Sequence, residues 1–102
     1  MRRTEATWKA LERDGWLCQW HLLRLGVVKD ATDGHHLYGR QVDVAEAIIA
    51  LCHDCHMKVH SGEIKGGEVR EMQITRGVMS KDAAARFDRL KTGGVGRESK
   101  DW

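Results

Sequence analysis

The sequence predicts a small α+β domain, in which a strand–strand–helix core lies between an N-terminal and a C-terminal helix and is clipped by a metal knuckle. Three observations predict it. The chain has 102 residues, enough for one domain. Leu, Ile, Val and Phe make up only about a fifth of it, close to the roughly 20% below which chains often fail to fold, so a metal or disulfides must help. All six His and all three Cys fall between Cys18 and His60.

The elements follow in order. Thr4 is placed to cap a helix over residues 4–14, Trp8 and Leu11 share one face, and Gly15 suits its C′ position. Residues 16–28 are apolar, punctuated by Cys18, His21 and Gly26. Asp33-Gly34 reads as a turn, His35–Tyr38 as a short strand, Gly39–Ala47 as a loop and Ile48–Leu51 as a second strand. A helix over His53–Ser61 stops at Gly62. Residues 63–79 are ambiguous and broken by Gly66-Gly67, with Ile64, Val69, Met72 and Ile74 available to pack on the core. Ser80 opens a helix to about residue 91, with Ala83, Ala84, Phe87 and Leu90 on one stripe. Residues 1–91 thus form one domain with a core over about 14–62, and residues 92–102 a flexible Gly-rich tail.

Net charge is +2, which neither demands nor forbids a nucleic-acid partner. No apolar run is long enough to span a membrane, and the N-terminus lacks the apolar stretch of a signal peptide. The expected setting is therefore a reducing cytoplasm, with no membrane partner. An odd cysteine count there points to metal binding or chemistry rather than a disulfide framework.

Cys18 and His21 are separated by two residues, and so are Cys52 and Cys55. Ligand pairs with that gap meet one tetrahedral ion without strain, so the two knuckles make a Cys3His structural zinc site. Zinc in such sites supplies on the order of 10 kcal/mol, which offsets the lean core. His56 and His60 are four apart and share a helix face. In a strand, His35 and His36 point to opposite faces. His35, His56 and His60 can then hold a second metal with open positions, as in a catalytic site, and His36 stands beside it, suited to be a general base.

Three segments together resemble the HNH endonucleases of the ββα-metal (His-Me finger) group. They are Arg13-Asp14-Gly15-Trp16-Leu17-Cys18, Asp33-Gly34-His35-His36-Leu37, and Leu51-Cys52-His53-Asp54-Cys55-His56 with His60. The resemblance covers about half the chain. It implies His35, His56 and His60 as ligands of one divalent ion (magnesium, manganese, nickel or zinc), His36 as the base that activates water, and structural zinc on Cys18, His21, Cys52 and Cys55. It implies hydrolysis of DNA phosphodiester bonds, by nicking or loosely specific cutting of double-stranded DNA. It also implies a phage or bacterial setting. Arg40 and Lys58 are placed to reach phosphates, with Arg2, Arg3, Arg70 and Arg76 as outer contacts, while Trp8, Trp16 and Trp20 are expected in the core around the zinc.

The sequence departs from the family pattern in two places. His21 stands where a cysteine is usual, and Ala47 stands where the family has the Asn that braces the base. Three readings of Ala47 are open: Gln41, Asp43 or Glu46 does the bracing; the enzyme is slow or degenerate; or the residue was changed to quench activity. The alternative function is a weakened or inactive HNH-like zinc module that binds DNA or a protein. A purely structural His/Cys domain is the third class, and a homodimer is left open.

Overall fold

A computed structural model describes residues 3–92. The elements run α1 (Glu5–Arg13), a π-helical turn (His21–Leu25), β1 (Asp33–His36), a 3-10 turn (Ala45–Ala47), β2 (Ile48–Leu51), α2 (His53–Ser61), α3 (Gly66–Thr75) and α4 (Lys81–Thr92). It is a small α+β arrangement with a two-stranded antiparallel sheet. Among the described residues, no helix is long and apolar enough to cross a membrane. Arg2 and the expected tail beyond Thr92 lie outside the described residues.

Thr4 caps α1 as expected: its Oγ1 accepts from the Thr7 amide at 3.2 Å, and Gly15 turns the chain out of the helix with φ +66°. The Asp33-Gly34 turn does not occur. Both residues belong to β1, which pairs Asp33 with Leu51, Gly34 with Ala50, His35 with Ile49 and His36 with Ile48. Gly34 is there for closeness rather than for turning. A Cβ at this position would lie 2.7 Å from Thr7 Cγ2 and 3.1 Å from Ile48 Cγ2, so α1 packs on the strand only because the side chain is missing. β1 ends at His36 rather than at the expected Tyr38: the Leu37 amide donates one more bond to the Ala47 carbonyl, and Leu37 and Tyr38 form a turn.

β2 is buried along its whole length. Its Ile49 and Leu51 pack with Leu11, Ile64, Val69 and Met72 in one cluster, and Tyr38, Val42, Ala47, Met79, Ala83 and Ala84 form a second. Gly66 and Gly67 open α3 rather than break it, and α3 returns Val69 and Met72 to the core. Leu90 does not join the α4 stripe; it is 55% exposed. Trp8 is also exposed at 45%, edge-on to Trp16 with the Arg3 guanidinium over both rings. Trp16 and Trp20 are partly buried against the first cluster.

A buried polar knot joins α1, β2 and α3. The Asp14 carboxylate accepts from Arg13 (2.8 Å), Arg76 (2.8 Å) and the Ala50 amide (3.1 Å). Gln73 donates to the Glu46 and Ile48 carbonyls and accepts from Arg76. Burial pushes Asp14 up, but its hydrogen bonds from Arg13, Arg76 and Ala50 and the charge of Arg76 outweigh that and hold it below the usual carboxylate range. Arg76 is thus committed inside, and Arg70 is committed to Asp88 at 2.8 Å, where Tyr38 also donates. Both guanidinium groups, expected as outer contacts, are paired with carboxylates within the fold.

Candidate metal centres and the histidine groove

The chain leaves α1, bridges Leu17 to Asp30, and starts its next turn at Cys18, whose amide donates to the Lys29 carbonyl at 2.7 Å. Three residues later His21 lies on the same side of that turn. Cys52 caps α2, and Cys55 lies in the first turn with its amide 3.5 Å from Cys52 Sγ. These four residues form one group. His21 Nδ1 lies 3.2 Å from Cys18 Sγ, 3.4 Å from Cys55 Sγ and 3.7 Å from Cys52 Sγ. In a tetrahedral zinc site with the usual bond lengths, nitrogen and sulfur ligands sit about 3.5 Å apart. The donor set therefore fits a structural zinc ion.

Its electrostatics agree. None of the three cysteines is in a disulfide, and all are buried. Burial raises Cys52, but the Cys55 amide and the neighbouring thiols outweigh it and lower it. Burial, together with Cys52 and Cys18, pushes Cys55 far above the usual thiol range. Crowded buried thiols cannot all ionise without a cation, and a zinc ion held there would supply that charge.

His35, His56 and His60 form a second group, with donor atoms all within 4.8 Å of one another. His35 is buried on β1, and α2 presents the other two on the flank beside Cys55. His56 Nε2 and His60 Nε2 are 3.1 Å apart, and two nitrogens bound to one ion are separated by about 3.0–3.4 Å. Asp33 Oδ2 accepts from His56 Nδ1 at 2.9 Å and from the exposed His53 at 3.1 Å. This fixes the His56 tautomer so that the Nε2 lone pair faces His60. Burial, then the charge of His56, lowers His60, which favours its neutral, ligating form. Three imidazole donors at this spacing fit a metal ion.

His36 takes the opposite face of β1. Its Nε2 is 2.8 Å from Asp43 Oδ1, which also accepts from Thr4 Oγ1 at 3.0 Å. The His36 hydrogen bond chiefly holds Asp43 below its ordinary range, against a smaller push upward from burial. His36, Asp43 and Thr4 line a groove of about 380 Å³ together with Arg3, Arg40 and Asp33. Lys58 is exposed on α2 and is not part of the groove lining. Ala47 is fully buried in the second core cluster and offers His36 no polar group.

Sequence reasoning thus brought together both ligand groups and separated His36 from His35, but it missed the role of Asp33. The signal was present: in a strand, Asp33 lies on the same face as His35 two residues on. No protein-family profile, curated protein or solved structure matches this chain.

Proposed function

We propose that this chain is a metal-dependent endonuclease of the HNH type, with a ββα-metal core, that hydrolyses DNA phosphodiester bonds. The observation that carries this reading is the division of labour at β1. His35 joins His56 and His60 in a cation-sized cluster, while His36 faces a groove that also holds Arg3 and Arg40.

Asp43 accepts from Nε2 of His36, so the neutral ring keeps its lone pair on Nδ1. Nδ1 takes a proton from water; the resulting hydroxide bonds to phosphorus; the bond from phosphorus to the 3′ oxygen breaks, and that oxygen leaves with the electron pair and is protonated by solvent. His35, His56 and His60 would hold a divalent ion, which would supply charge stabilisation to the reaction. Arg3 and Arg40 would hold the flanking phosphates, contacts that carry little sequence information. Cys18, His21, Cys52 and Cys55 would hold a structural zinc, which would anchor α2 and with it His56 and His60.

The test is nicking of supercoiled plasmid with magnesium, manganese, nickel or zinc. His36→Ala lowers the rate by about 10²–10⁴-fold, the usual contribution of a general base. An equal rate in the variant refutes the assignment of the base. The burial of Ala47 favours a second reading, an HNH-like zinc module that binds DNA without cutting it. Retention of DNA without nicking under any of the four metals would select it.

A further inference from the structure

We infer that Asp43 is the positioning residue that orients His36 for proton abstraction, in place of any side chain at position 47. The inference rests on the hydrolase reading above and names the part that its residue pattern leaves vacant.

The geometry carries it. Asp43 Oδ1 lies 2.8 Å from His36 Nε2, and the His36 side chain is only 14% exposed. The same oxygen accepts from Thr4 Oγ1, the residue that caps α1. The acceptor is therefore held from the end of a nine-residue helix as well as from its own loop. A carboxylate accepts and does not donate, so it selects the Nε2–H tautomer and leaves Nδ1 as the basic atom. Of the three polar residues of the loop, Asp43 is the one described in hydrogen-bond contact with His36. Ala47 reaches the strand only through its backbone, accepting from the Leu37 amide and packing its methyl group into the core. The sheet thus uses position 47 for packing and ladder closure, and the polar brace comes from the loop four residues earlier.

The experiment uses the full chain with its metals, labelled with 15N-histidine, and compares the parent with Asp43→Ala, Asp43→Asn and Gln41→Ala; His36→Gln assigns the His36 resonances. Two readouts are taken: the long-range 15N spectrum, which reports which ring nitrogen carries the proton, and kcat and KM for plasmid nicking. The parent shows His36 protonated at Nε2 with Nδ1 bare. Asp43→Ala gives a tautomer mixture and a kcat lower by about 10–100-fold, the scale of loss when a metal-bound histidine loses its outer partner, with KM little changed. Asp43→Asn, whose amide oxygen can still accept from Nε2, recovers much of the loss, and Gln41→Ala matches the parent in both readouts.

An unchanged His36 tautomer in Asp43→Ala, or nicking as fast as the parent, overturns the inference. A parent that never nicks but whose His36 changes tautomer in Asp43→Ala refutes the hydrolase reading while upholding the orientation by Asp43.

Discussion

His35 and His36 are consecutive in β1 yet belong to different surroundings: His35 packs its ring against His56 and His60, at centroid distances of 5.3 and 5.6 Å, whereas His36 bonds to Asp43 across the strand. The pleat does this without special machinery, because neighbouring strand residues face opposite ways. One dipeptide therefore contributes to two separate side-chain groups.

The two ligand groups share α2 but carry different duties, and metal counting separates them. His60→Ala reduces bound metal from two ions to one per chain and leaves the thermal melt nearly unchanged, since His60 is exposed at the end of α2. Cys55→Ala removes zinc and unfolds the domain, because structural zinc contributes on the order of 10 kcal/mol. Metal analysis beside a melt checks both.

Acid stability follows from Asp14. Its folded pKa lies below the unfolded value, so its contribution is complete above the unfolded pKa of about 3.9 and is lost as pH falls through the lower folded value. Asp14→Asn abolishes that part of the acid dependence. Arg76→Ala leaves Asp14 with Arg13 and the Ala50 amide, costs about 1–3 kcal/mol at neutral pH, and moves the acid transition to higher pH. Urea unfolding between pH 2 and 7 reads all three chains.

Gly34→Ala forces a methyl group against Thr7 and Ile48 and costs about 1–3 kcal/mol. Thr7→Ser in the same chain removes the closer methyl and restores part of the loss. A double-mutant cycle by chemical denaturation measures the coupling.

Placing an Asn at position 47, where the HNH pattern has one, does not help this protein. Ala47→Asn buries a polar side chain among Tyr38, Val42, Met79, Ala83 and Ala84 and costs about 1–3 kcal/mol. Nicking does not rise, because His36 already has its acceptor; a melt and a plasmid assay on the same preparation show both effects.

Much of this was legible from the order of residues alone. The two-residue gaps of Cys18/His21 and Cys52/Cys55, the four-residue gap of His56/His60 and the alternation of His35/His36 are periodicities of turns, helices and strands, and each is local. The α1 cap at Thr4, the β2 run Ile48–Leu51 and the α2 stop at Gly62 were readable for the same reason. What tertiary structure decided is what distance along the chain hides. Asp33-Gly34 has turn chemistry, yet pairing with Leu51 and Ala50 and the close approach of Thr7 made it strand. Gly66-Gly67 reads as a break, yet burial of Val69 and Met72 outweighs the weak helix propensity of glycine. Arg70 and Arg76 look like surface charges until Asp88 and Asp14 arrive from 18 and 62 residues away. Asp43 was one of three polar candidates on a loop without a period, and only the meeting of that loop with Thr4 and His36 singled it out.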